Sequence, residues 1–198
     1  MTKYILNSGG SRNNPTKAKE SIEETLKDLG QNPKVLFCFF AQKREDWETK
    51  YKEKMEGFKK MVPSGTEVSF DLAFPDTFAE QIKNSDAVVI FGGDDFLLQC
   101  WFKQFDIPKI WKDKVVVTSS ASSNALAKHF WTCDWRQSMD GLGILPIKFI
   151  SHYKSDFGVD DPRGPIDWDE AQQELENYGD KDLSMYTLEE GEFVIIEK

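Results

Sequence analysis

The residues best able to do chemistry lie where an apolar run, Val115-Val116-Val117-Thr118, meets Ser119-Ser120-Ala121-Ser122-Ser123-Asn124. A strand that gives way to small hydroxyl residues and then to a helix fits a nucleophile elbow, where the turn is sharp, the neighbours are small and the central side chain stands above the sheet. Ser120 would be that side chain, and the backbone N–H groups of Ser120 and Ala121 would lie at a helix start, where free donors and the helix dipole favour an oxyanion. The same stretch also reads as a Ser-rich helix cap.

A serine hydroxyl needs a base, usually histidine, and the chain holds two, His129 and His152. His129 falls about nine residues past Ser120 on an expected helix, roughly 13 Å along its axis at ~1.5 Å per residue, and so points away. His152 ends the strand-like run Ile147-Lys148-Phe149-Ile150-Ser151 and is the better base. Asp134 and Asp140 lie between Ser120 and His152, and Asp134 is the preferred orienting carboxylate, although among 34 acidic residues an Asp in that interval has little weight.

Two further loops carry paired glycines, Asn7-Ser8-Gly9-Gly10-Ser11 and Gly92-Gly93-Asp94-Asp95. Glycine admits a positive φ and leaves backbone N–H groups open, so each loop reads either as a cradle for an oxyanion or phosphate or as a plain tight turn. Neither matches the phosphate-loop or dinucleotide fingerprints. Asp94 and Asp95 leave a metal- or phosphate-binding protein as a further reading.

These loops need an open sheet to bring them together. Short apolar runs alternate with amphipathic ones, the pattern of an α/β fold with a mostly parallel, doubly wound sheet flanked by helices. Strands are expected at Lys3 to Asn7, Val35 to Phe40, Glu67 to Leu72, Ala87 to Phe91, Lys114 to Thr118, Ile144 to Ser151, Ser184 to Thr187 and Phe193 to Glu197. Helices are expected at Thr16 to Leu29, through Trp47, Tyr51, Met55, Phe58 and Val62, and at Thr77 to Lys83, Phe96 to Phe105, Ala125 to Phe130 and Asp169 to Asn177. Asp156 to Asp167 reads as irregular. In such sheets ligands bind beyond the carboxyl ends of the strands.

The 198 residues suit one domain over 1–198. A net charge of −9 argues against nucleic acid or an anionic membrane as partner. No apolar run reaches the ~18 residues that span a bilayer. Cys38, Cys100 and Cys133 have no zinc-ligand spacing and read as buried thiols in a reducing compartment, so the expected location is cytoplasmic. Trp101, Phe102, Trp111 and Trp131 read either as core or as the face of a homodimer.

With these residues in hand, the chain resembles the dipeptidase E (aspartyl dipeptidase) and cyanophycinase family of serine peptidases, with a class I glutamine amidotransferase-like fold. Gly92-Gly93-Asp94-Asp95-Phe96-Leu97-Leu98 is similar to a family motif G-G-N-T-F-x-L-L, and Thr118 to Asn124 to an elbow G-x-S-A-G-A-N. Asp140-Gly141-Leu142-Gly143-Ile144-Leu145-Pro146 followed by His152-Tyr153, and the turn Leu188-Glu189-Glu190-Gly191, are similar to further family blocks. The resemblance implies Ser120 as nucleophile, His152 as general base, Asp134 as its orienting carboxylate and the N–H groups of Gly93 and Ala121 as the oxyanion hole. It implies substrate contacts from Gly92, Asp94 and Asn124, a small peptide substrate, often one containing Asp, and no metal or cofactor. The glutaminase relatives carry Cys at the elbow, which disfavours an amidotransferase role.

This chain departs from the pattern in two places. Thr118 and Ser122 replace the elbow glycines, which leaves open a member that has lost catalysis and binds a ligand or partner in the same pocket. Asp94 and Asp95 replace Asn and Thr, and two carboxylates there would repel an acidic peptide unless a cation such as Lys128, Arg136 or Lys154 offsets them.

Overall fold

In a computed structural model describing residues 1–198, the apolar runs form ten strands. These are β1 (Lys3–Asn7), β2 (Lys34–Cys38), β3 (Ser69–Leu72), β4 (Ala87–Ile90), β5 (Val115–Ser119), β6 (Ala127–Thr132), β7 (Gln137–Asp140), β8 (Leu145–Ile150), β9 (Ser184–Thr187) and β10 (Phe193–Glu197). The helices are α1 (Pro15–Leu26), α2 (Trp47–Lys59), α3 (Phe78–Lys83), α4 (Asp95–Phe102), α5 (Ala121–Leu126) and α6 (Trp168–Asn177). The six-stranded sheet has the order β10-β1-β5-β4-β2-β3 and is parallel except for β10. Its central strands are buried on both faces, which is why they read as continuous Val, Ile, Leu and Phe runs.

The register sets up the site. Asn7 of β1 pairs with Ser119 of β5, and Ile90 of β4 pairs with Thr118, so the loops after β1, β4 and β5 leave the sheet side by side. Local chemistry then sends the chain away from that edge. Asn14 caps α1 by accepting the Lys17 N–H at 3.2 Å, with Pro15 at the first helical position, and Asp94 caps α4 by accepting the Leu97 N–H at 2.9 Å.

The α/β architecture is as expected from the sequence, but strands β6 to β9 make a sheet of their own, β7-β6-β8-β9, before β10 returns to the first sheet. The expected helix over Ala125 to Phe130 is instead the end of α5 followed by β6. Ala, Leu and Lys favour helix locally, yet the chain turns extended at Ala127, and β6 gains ladders with both β7 and β8. Tertiary pairing outweighs a propensity worth a few tenths of a kcal/mol per residue.

One apolar cluster draws on both sheets, joining Phe37, Val89 and Val117 to Phe130, Leu145 and Phe149. Phe37 sits among the rings of Phe58, Phe70 and Phe91, with centroids 5.1 to 5.7 Å away. Phe102, Trp111 and Trp131 are buried and Trp101 packs against the core. The cysteines are less uniform than expected, because Cys38 is buried, Cys133 half-buried and Cys100 exposed. No helix is long and apolar enough to cross a membrane.

Candidate active site

Ser120 stands between β5 and α5 with φ +56° and ψ −121°. A non-glycine residue reaches that conformation at a cost on the order of 1–3 kcal/mol, so its surroundings must hold it. They do so through the backbone. Its N–H donates to the Asn7 carbonyl at 2.9 Å, and its carbonyl accepts the N–H groups of Ser123 and Asn124 at 2.8 and 3.1 Å.

The hydroxyls that replace glycine pack beneath this turn. Ser122 is fully buried, and its Oγ donates to the Ile90 carbonyl at 2.7 Å and accepts the Ser119 N–H at 2.7 Å. Thr118 Oγ1 lies 2.8 Å from Ser123 Oγ, itself bonded to the Asn7 carbonyl. Neither Thr118 nor Ser122 lines the cavity above Ser120.

Ser120 Oγ lies 2.8 Å from His152 Nε2. His152 follows β8, is 7% exposed, and donates its backbone N–H to Ser8 Oγ at 2.7 Å. Its ring stacks on Phe157 at 4.4 Å. The carboxylate on its far side is not Asp134. Glu190 Oε1 lies 3.0 Å from His152 Nδ1, and Asn13 Nδ2 donates to the other Glu190 oxygen. Asp134 ends a different edge of the cavity and makes no hydrogen bond to the imidazole. The reason is topological: the turn from Leu188 to Gly191 leaves β9 and delivers Glu190 across the mouth of β1, whereas Asp134 turns outward after β6. An ionised carboxylate only accepts, so Nδ1 donates to Glu190 and Nε2 is left to take the Ser120 proton.

The paired glycines make this closeness possible. A Cβ on Gly9 would lie 2.6 Å from His152 Cε1 and 3.2 Å from Ser120 Cβ, and one on Gly10 would lie 2.6 Å from Glu190. His129, by contrast, is on β6 rather than on a helix. Its Nδ1 lies 2.7 Å from Asp140 Oδ1 and its Nε2 accepts the Asp180 N–H at 3.3 Å, outside the cavity.

A cavity of about 300 Å³ opens over the Ser120–His152 pair. The N–H groups of Gly93 and Ala121 border it and carry no hydrogen bond within the protein. Gln42 donates to the Gly92 carbonyl and steadies that loop. Gly92 and Asn124 line the cavity, but the Asn124 oxygen is occupied by the Ser151 hydroxyl at 2.7 Å. Asp94 does not line it, because its carboxylate is spent on the helix cap; Asp95 does.

The pattern that describes Peptidase family S51 matches residues 4–198. The chain belongs to peptidase family S51. Two solved structures share the fold of this S51 member. A peptidase from an acI-B1 actinobacterium superposes with a TM-score of 0.67 at 18% identity, covering 99% of this chain and 83% of that one. A peptidase E-like protein of Listeria monocytogenes EGD-e gives 0.64 at 14% identity, covering 99% of this chain and 94% of that one. No curated protein matches the sequence.

The electrostatics of this S51 cavity are one-sided. Asp95 is 5% exposed. Burial first, and the charge of Asp94 next, push its carboxyl up to about 6, with Asp134 adding to the rise and the Thr132 hydroxyl opposing it. Cys133, on the same wall, is raised to about 12 by burial and stays a thiol at neutral pH. The cations expected nearby lie elsewhere. Lys128 pairs with Asp180 at 3.4 Å, Arg136 reaches Asp161 at 3.9 Å, and Lys154 lies over the Tyr153 ring.

Proposed function

We propose that this S51 peptidase is a serine hydrolase of small peptides in which Ser120 is the nucleophile, His152 the general base and Glu190 the carboxylate that orients it. The observation that carries this reading is the 2.8 Å contact from Ser120 Oγ to His152 Nε2, made by a serine held at positive φ. As Oγ attacks the scissile carbonyl carbon, His152 Nε2 takes the hydroxyl proton. Charge gathers on the carbonyl oxygen, toward which the free N–H groups of Gly93 and Ala121 would donate. Collapse breaks the C–N bond, and the same proton passes from His152 to the leaving amine. Water then attacks the acyl group, gives a proton to His152, and the acid departs as that proton returns to Ser120.

The mechanism calls on no cofactor. The test is labelling of the purified protein with a fluorophosphonate, with the adduct located by mass spectrometry. We expect an adduct on Ser120 that is lost in Ser120→Ala and His152→Ala. A folded wild-type protein that gives no adduct would overturn the reading.

A further inference from the structure

The cavity that opens over the nucleophile carries a charge that the reaction itself does not need. Asp95, Thr132 and Asp134 line it, and no Lys or Arg lines the cavity at all. Lys50 reaches Gln42 at the rim but is shared with Asp46 at 3.9 Å. Arg163, which donates to the Asp134 carbonyl at 2.9 Å, pairs through the same guanidinium with the Asp161 carboxylate at 2.6 Å. Asp95 is thus a nearly buried carboxylate with no cationic partner, opening onto a cavity large enough for a dipeptide-sized ligand. Such a group is costly to bury and is expected where a ligand supplies the missing charge.

We propose that Asp95, assisted by Asp134, selects substrates that present a positive group beside the scissile bond, so that this peptidase takes peptides with a basic residue on the acyl side and rejects those with an acidic one. The proposal rests on the serine-peptidase reading only for the placement of the scissile bond. A carboxylate at Asp95 attracts an ammonium or guanidinium group through a poorly solvated cavity and repels a substrate carboxylate by the same field. The buried position of Asp95 is consistent with its raised carboxyl, which is still ionised at pH 7.5. A substrate cation placed against it would bring that pKa back down, so binding favours the charged pair.

Binding to the Ser120→Ala protein tests selection without turnover. Lysyl-glycine, norleucyl-glycine and aspartyl-glycine are titrated calorimetrically at pH 7.5, with Nα-acetyl-lysyl-glycine to tell the side-chain cation from the α-amino group. We expect lysyl-glycine to bind at least about tenfold more tightly than aspartyl-glycine, roughly 1.4 kcal/mol. Adding Asp95→Asn should bring that ratio to within about threefold, and Asp134→Asn, at an exposed position, should reduce it in the same direction. Retained binding of the acetylated peptide supports recognition of the side-chain cation; its loss would show that binding is anchored by the α-ammonium group, which all three free dipeptides share, and would overturn selection for a basic residue. Aspartyl-glycine binding as well as lysyl-glycine, or a ratio that survives Asp95→Asn in a folded protein, would overturn the proposal. Fluorophosphonate labelling of the Asp95→Asn protein reports separately on the nucleophile, so failure of the specificity and failure of the peptidase reading are told apart.

Discussion

At the residue scale, the imidazole of His152 is fixed by three unlike contacts: a serine hydroxyl on one nitrogen, a carboxylate on the other, and the face of Phe157. Removing the charge behind it while keeping its shape should disturb the proton rather than the packing. Glu190→Gln is expected to lower kcat on the order of a hundredfold or more, since an amide no longer enforces the productive tautomer. Asp140→Asn, which touches His129 outside the cavity, should leave kcat unchanged, and steady-state kinetics on the two variants checks both outcomes. Asp95 makes a prediction of a different kind. Its carboxyl is raised in the folded protein from the ordinary 3.8 to about 6, so the folded state favours its protonated form. That contribution to stability is complete below about pH 4 and is lost as the pH rises through 6. Asp95→Asn should therefore stabilise the protein at pH 8, by about 1–3 kcal/mol, and do little at pH 4. Asp94 and Asp134 are the ionisable groups that act on it, so thermal unfolding is best compared between variant and parent at each pH. Equal shifts at both pH values would refute the assignment.

At the scale of elements, the site depends on how closely three loop backbones approach. Gly9→Ala places a methyl group 2.6 Å from His152 at a φ of +109°. We expect it to abolish fluorophosphonate labelling of Ser120 while the far-ultraviolet circular dichroism stays native, and labelling at the parent rate would contradict the geometry. Much of this was legible in the sequence. The valines before Ser120 could only be a buried strand, and the doubled glycines marked loops that needed open backbone. The histidine was readable because only two existed. Its carboxylate was not, since 34 acidic residues share the chemistry and separation along the chain says little about separation across two sheets. Only the likeness of Leu188 to Gly191 to a family turn pointed toward Glu190. The misread of Ala125 to Phe130 has the same origin: the ladders that make β6 a strand come from residues 137–150, which no local window contains.

At the scale of the whole molecule, the core joins the two sheets. Phe149 of β8 is fully buried in the same cluster as Phe37 of β2. Phe149→Ala should cost about 3–5 kcal/mol, and tryptophan fluorescence and circular dichroism should still report one coincident urea transition. Two separated transitions would show that the sheets unfold independently.

The Leu188 to Gly191 turn joins β9 at the edge of one sheet to β10 at the edge of the other, and on the proposed mechanism it carries the last working part. During synthesis Ser120 and His152 leave the ribosome well before Glu190, which follows the nucleophile by 190 − 120 = 70 residues. Until β10 has zipped onto β1, the imidazole has no carboxylate behind it. On that mechanism the growing polypeptide would be a poor hydrolase, and full competence would come only when β10 has paired with β1.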